Sequence, residues 1–148
     1  MERTFVMVKP DGVQRGLTGQ VIARVSDKGY QLIGLKMLQI TPQLAGRHYA
    51  EHEKRPFFQR LVEFITSGPV VAMVWQGPQA VSGIRSVIGK TDPQEALPGS
   101  IRGDWGVDIG HNVVHGSDSP ESAEREIALF FQPEELVEYE RTIEKWVW

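Results

Sequence analysis

The sequence predicts an α/β (α+β) fold in which helices pack on a four-stranded antiparallel sheet. Three observations lead there: four β-type apolar runs, helical periodicity between them, and mostly short connections with no repeat, low-complexity stretch or linker. In order, the elements read strand, helix, strand, two helices, strand, helix, long loop, strand, helix. That is the split β-α-β, or ferredoxin-like, sandwich. A chain of 148 residues can bury a core without a disulfide or a metal, and it reads as one domain over residues 1–148.

Thr4 to Lys9 alternates as a strand, closed by a turn at Pro10-Asp11-Gly12, so Lys9 falls at a strand's carboxyl end. Val21, Ile22 and Val25 keep helical spacing over Gly19 to Lys28, Gly29 stops that helix, and Gln31 to Ile40 forms the second strand. Thr41-Pro42 supplies an N-cap and first position for a helix to about Glu51. Two histidines, His48 and His52, then stand four apart as a possible metal pair, but no suitable third ligand lies nearby. Arg55-Pro56-Phe57-Phe58 starts another helix, whose apolar side carries Phe57, Leu61 and Phe64 or Ile65.

Val70 to Trp75 is apolar throughout and reads as a fully buried strand. The helix after Gly77-Pro78 turns Val81, Ile84, Val87 and Ile88 inward and Arg85 to another face. Gly89-Lys90-Thr91 looks like the end of a phosphate-binding G-x-x-x-x-G-K-S/T loop, yet Gly83 stands one residue too far upstream and Asp92-Pro93 disfavours the helix that must follow. From Thr91 to Asp108 the chain is rich in Pro, Gly and polar residues, a length of loop that marks a functional segment or an interface. Within it Arg102 either closes over an anion or pairs with Asp104 at the surface. Pro133-Glu134-Glu135-Leu136 reads as a further helix start, and Trp146 and Trp148 are expected to pack on the domain or on a neighbouring subunit.

The composition excludes several chemistries. With no cysteine there is no disulfide framework, thiolate zinc site or cysteine nucleophile, which suits a reducing compartment. The sequence shows no apolar segment long enough for a signal peptide or membrane span, and a cytoplasmic protein is expected. A net charge of −3 argues against a dedicated nucleic-acid partner, although a local cluster of arginines could hold one nucleotide.

Chemistry concentrates around Asn112-Val113-Val114-His115-Gly116-Ser117-Asp118-Ser119-Pro120-Glu121. Val113 and Val114 suit a buried strand end, Ser119 an N-cap and Pro120 the first helical position. His115 therefore sits just before a helix N-terminus, a good place for an anion. The following helix turns Ala123, Ile127 and Phe130 to the core, with Glu126 beside that stripe. From there its carboxylate can grip one imidazole nitrogen and leave the other as a nucleophile; the alternative is a solvent-facing glutamate paired with Arg125 or a lysine. Lys9, Arg85, Arg102 and Asn112 join His115 at element ends or in the long loop, where one cleft can gather the cations a polyphosphate needs.

Over essentially its whole length the chain resembles the nucleoside diphosphate kinases. The blocks that carry the resemblance are Asn112 to Ser119, Val8-Lys9-Pro10-Asp11-Gly12-Val13, Arg55-Pro56-Phe57-Phe58, Ser67-Gly68-Pro69-Val70 and Pro98-Gly99-Ser100-Ile101-Arg102-Gly103-Asp104. The resemblance implies ping-pong transfer of the γ-phosphate from a nucleoside triphosphate, mainly ATP, to a nucleoside diphosphate, with His115 carrying the phosphate. By the same resemblance Lys9, Tyr49, Arg85, Thr91, Arg102 and Asn112 surround the phosphates and ribose. Phe57 stacks on the base with broad base tolerance, Glu126 orients the histidine, and Ser117 supplies the hydroxyl beside it. It further implies Mg²⁺ held mainly by the nucleotide phosphates, with no dedicated protein site, and a homo-oligomer, hexamer favoured over tetramer. His111 stands where arginine is common in the family, and Trp105 where phenylalanine or tyrosine is common.

Overall fold

The computed structural model describes residues 1–148. In chain order the elements are β1 (Glu2–Val8), α1 (Pro10–Gln14), α2 (Thr18–Lys28), β2 (Gln31–Leu38), α3 (Pro42–His48), α4 (Phe58–Ile65), β3 (Val70–Gly77), α5 (Ala80–Ile88), α6 (Ile101–Trp105), β4 (Val114–Gly116) and α7 (Pro120–Phe130). The four strands form one antiparallel sheet in the order β2-β3-β1-β4, the arrangement expected from the element order.

Both faces of the sheet are covered, which explains why β3 reads as a continuous apolar run and why β1, expected to alternate, is instead buried on both sides from Phe5 to Val8. On one face Val6, Val8, Met73 and Trp75 pack against Val21 and Val25 of α2 and Ile84 and Ile88 of α5. On the other, Phe5, Met7, Ala72 and Val74 meet Ala45 of α3, Ile65 of α4 and Phe130 of α7. Each of the larger buried side chains contributes about 1.5–3 kcal/mol relative to exposure, so the two clusters fix β1 rigidly at the centre of the molecule. β4 then inherits that position, because Val6, Met7 and Val8 pair with Gly116, His115 and Val114.

Several local expectations change. Pro10-Asp11-Gly12 opens the short helix α1 rather than a simple turn, with Lys9 as its N-cap residue and Pro10 at its first position. Gly12 is needed for close approach: a Cβ there would lie 2.8 Å from the Val113 carbonyl oxygen and 2.7 Å from Val8 Cγ1. The helix after Thr41 does not run on to Glu51; α3 ends at His48 and a separate 3₁₀ turn covers Ala50–His52. The long segment after Thr91 contains α6, capped by the Ser100 hydroxyl accepting from Gly103 N–H. After α7, Pro133–Glu135 makes only one 3₁₀ turn, and the remaining tail lies across the start of β2, where Val137 N–H donates to the Ile33 carbonyl at 2.8 Å. Trp148 stacks under Arg141 at 4.6 Å, whereas Trp146 is 80% exposed, so only one terminal tryptophan packs on its own domain.

Candidate active site

β4 and the cap of α7 put His115 and Glu126 face to face. Ser119 accepts from Ser122 N–H and starts α7, which then runs back along β1 and delivers Glu126 to the imidazole. His115 Nε2 lies 2.9 Å from Glu126 Oε1, and the Ser117 hydroxyl donates to the same oxygen at 2.6 Å. Burial works to raise the Glu126 carboxyl, but hydrogen bonds from His115 and Ser117, together with the positive field of the imidazoles, bring it down to about 2. It is thus an anion at neutral pH and can only accept, which requires His115 Nε2 to carry its proton and leaves the lone pair of a neutral ring on Nδ1. Arg125 completes the surroundings of Glu126, 3.7 Å from Oε2.

The approach to His115 is strained. Val113 has φ of 73°, a left-handed conformation that costs a β-branched residue about 1–3 kcal/mol. Asp11 Oδ2 accepts from Val113 N–H at 2.9 Å, Lys9 N–H donates to the Val113 carbonyl at 2.9 Å, and the side chain is fully buried. These contacts hold the kink that lets Asn112 face the cleft while Val114 enters the sheet. Asp11 is a residue that sequence reasoning missed; its position two residues after Lys9, in a helix start that packs on Val113, was the signal.

The cations converge on the same kink. Lys9 Nζ donates to Asn112 Oδ1 at 2.8 Å, and Asn112 Nδ2 donates to the Thr91 carbonyl at 3.0 Å. Arg102 is buried and does not pair with Asp104; its guanidinium donates to the carbonyls of Asn112 at 3.3 Å, Gly89 at 3.2 Å and Val114 at 2.6 Å. Asp104 instead takes Arg24 at 2.7 Å. Arg85 donates to the Gly116 carbonyl at 2.9 Å. Burial and the charge of Arg102 lower Lys9 to about 8 against the opposing pull of Asp11, and burial with Arg85 lowers Arg102 to about 10. Lys9, Arg85 and Arg102 thus sit close enough to repel one another, with Asp11 as the carboxylate that opposes this at Lys9 and Arg102, and an incoming anion relieves the repulsion.

These residues line one cleft of about 250 Å³, bounded by Lys9, Arg85, Arg102, Asn112 and His115, with Tyr49 and Thr91 also in its wall. Burial and Glu126 push the Tyr49 hydroxyl up to about 12, so it stays a neutral donor. Ser117 lies beneath the floor, fully buried. Phe57 is not in the lining; it is 38% exposed at the start of α4, its ring 5.5 Å from that of His52 on the cleft wall. His111 is exposed and outside the cleft lining, 3.1 Å from Asp108 and edge-on to Phe64.

His48 is the larger surprise. The break after α3 separates it from His52 and turns it inward, 3% exposed, with its ring perpendicular to that of His115 at 4.9 Å. Burial, reinforced by His115, pushes His48 down from 6.5 to about 3. A folded-state value below the unfolded one means that stability is complete above pH 6.5 and declines as pH falls, with Glu126 adding a second loss below about 4.5. Urea unfolding should therefore lose about 3 kcal/mol between pH 7 and 4.5, and His48→Phe should flatten that slope. An equal slope in the variant would contradict the assignment.

Comparison with known proteins agrees with this architecture over nearly every residue. Residues 2–136 match the family model of nucleoside diphosphate kinase. The chain is 60% identical to the nucleoside diphosphate kinase of Bacillus cereus across the whole of both chains. It is 59% identical to that of Carboxydothermus hydrogenoformans, covering 100% of this chain and 99% of the relative. Among solved structures, the halophilic nucleoside diphosphate kinase of Halobacterium salinarum in complex with CDP is 56% identical and superposes with a TM-score of 0.97 over 99% of this chain and 98% of that one. A nucleoside diphosphate kinase family protein from Babesia bovis, 49% identical, gives 0.98 over the full length of both. With 49–60% of its sequence identical to these relatives of its own length and the same fold throughout, the chain belongs to the nucleoside diphosphate kinase family and is a phosphotransferase.

Proposed function

We propose that the chain moves the γ-phosphate of a nucleoside triphosphate, mainly ATP, to a nucleoside diphosphate by a ping-pong reaction through a phosphohistidine at His115. The observation that carries this reading is the Glu126 carboxylate bound to His115 Nε2, which leaves Nδ1 as the nucleophilic nitrogen. In the first half-reaction Nδ1 forms a bond to the γ-phosphorus, the bond from that phosphorus to the β–γ bridging oxygen breaks, and the nucleoside diphosphate leaves with the electron pair. No proton need move: Nε2 keeps its hydrogen, and Glu126 balances the charge gained by the ring. In the second half-reaction a terminal oxygen of the acceptor diphosphate takes the phosphoryl group and the nitrogen–phosphorus bond breaks.

Lys9 and the two arginines neutralise and position the phosphates, while Tyr49, Thr91 and Asn112 act as polar partners along the phosphates and ribose. Ser117 shares the Glu126 oxygen with His115 and steadies the orienting carboxylate. Phe57, exposed at the mouth, offers its face to the base, and stacking without edge-reading hydrogen bonds gives broad base tolerance. A nucleoside diphosphate such as the CDP held by the Halobacterium salinarum relative fits this division of labour.

Mg²⁺ when bound adds charge neutralisation on the phosphates. Of the carboxylates along the cleft, Glu126 is taken by His115 and Ser117, while Glu51 and Asp118 lie exposed at the rim. Such a set fits a metal brought in by the nucleotide, with the rim carboxylates available to its waters. We further read the chain as a single domain that works as a homo-oligomer, a hexamer in preference to a tetramer. Leu35 and Met37 on the edge strand β2 and Trp146 in the tail are exposed apolar side chains in support of assembly. No helix is long and apolar enough to cross a membrane. A cysteine-free chain suits the reducing cytoplasm, which we take as its compartment, and net charge −3 favours nucleotides over nucleic acid as partners.

Incubation with γ-labelled ATP and Mg²⁺ should place an acid-labile, alkali-stable label on His115 that unlabelled GDP removes as labelled GTP. His115→Ala should lose transfer by roughly four orders of magnitude or more while still binding nucleotide; a variant that turned over normally would overturn the mechanism. For Phe57→Ala, binding should weaken by about 1–3 kcal/mol for every base tested, and a loss confined to one base would rule out stacking as its role.

A further inference from the structure

His48 has a chemistry that the transfer reaction does not use. It lies among Phe5, Tyr49, Phe130 and His115, with ring centroids 4.7–6.4 Å away, and its buried Nδ1 has no hydrogen-bond partner. An orphaned buried nitrogen costs about 1–3 kcal/mol. The ring also lines the cleft, so it is an unpartnered base beside the reacting histidine. The i, i+4 spacing of His48 and His52 suggested a metal pair; the end of α3 breaks that pair and gives His48 two better-placed partners. One ligand atom from each of His48, His115 and Glu126 lies within 4.8 Å of the others.

We infer that His48, His115 and Glu126 form a transition-metal site, taking Zn²⁺ or a similar borderline divalent ion, and that its occupancy stops phosphotransfer. Two imidazoles and one carboxylate are a donor set that favours such an ion over Mg²⁺, which prefers oxygen. Zinc bonds of about 2.0–2.1 Å require donor atoms about 3.3 Å apart in a tetrahedron. His115 and Glu126 already stand at 2.9 Å. The remaining adjustment is a rotation of His48, whose ligand atom lies within 4.8 Å of both, toward them, and the fourth position is left for a water or a phosphate oxygen. Each ligating nitrogen must present a lone pair, so binding releases any proton it carries and weakens in acid. The positive charges of Lys9 and Arg125 act on the same imidazole and oppose a dication, which weakens binding relative to a structural zinc site.

The site needs only the three side chains; the inhibition rests on His115 being the phosphate carrier. Calorimetric titration of the metal-free full chain with Zn²⁺ alone should give one site per chain, at least about tenfold weaker in His48→Ala and in Glu126→Gln and unchanged in His111→Ala. Co²⁺ in place of Zn²⁺ should give the visible absorption of a four-coordinate ion. Should a variant fail to fold, imidazole resonances of the wild type carry the test: Zn²⁺ should move those of His48 and His115 and spare His52 and His111. Equal affinity in all variants, shifts at His52 or His111 instead, or no binding overturns the site and leaves the kinase mechanism standing. Binding at the three residues with transfer undiminished overturns the inhibition and leaves the site standing.

Discussion

A single carboxylate oxygen, Glu126 Oε1, organises the site. It accepts from both His115 and Ser117, and everything that positions these three groups belongs to the core. Ser117 N–H donates to the Phe5 carbonyl, Met7 pairs with His115, and α7 lays Ala123 and Phe130 against the sheet. The hydrogen bond that sets the imidazole tautomer is therefore only as precise as the packing of β1, β4 and α7. Because that packing is dry on both faces of the sheet, the His115 imidazole is held in place by the fold itself.

The cationic side of the cleft follows a different logic. Arg102 spends its donors on the carbonyls of Asn112, Gly89 and Val114, tying α5, α6 and β4 into one wall. Its charge remains even though its hydrogen bonds are used, so it lends field to the cleft while acting as a structural brace. Lys9 makes one contact, to Asn112 Oδ1, and keeps the freer ammonium. The strain at Val113 is the cost of bending the chain between Asn112, which faces the cleft, and Val114, which faces the core, and Asp11 offsets part of it. Catalytic geometry and fold stability meet in the same few residues here.

What could be read from the sequence was whatever depended on local pattern. The apolar runs, the Ser119-Pro120 cap and the position of Glu126 on the inner side of its helix follow from periodicity and capping, and they lead directly to the His115–Glu126 pair. Contacts between distant segments had no such signal. For Arg102 the local pattern leaves an anion-closing role and a surface pair with Asp104 equally open, because only the fold brings the Gly89 and Val114 carbonyls to it. Pro10-Asp11-Gly12 looked like a turn because the packing of Gly12 on Val113 links residues a hundred positions apart. His48 was misread toward His52 because helical spacing assumes a continuous helix, and α3 ends at that residue. Trp146 remained exposed, since its apolar character carries no information about which surface, if any, meets it within one chain.

The account stands or falls on which imidazole nitrogen is free. Nuclear magnetic resonance of the phosphorylated protein, with nitrogen labelled in histidine, distinguishes a phosphate on Nδ1 from one on Nε2 by its coupling to phosphorus. Phosphate on Nδ1 of His115, with Nε2 still protonated toward Glu126, is the predicted result. Phosphate on Nε2 would mean that Glu126 releases the ring before reaction, and the carboxylate could then no longer be the element that directs the nucleophile.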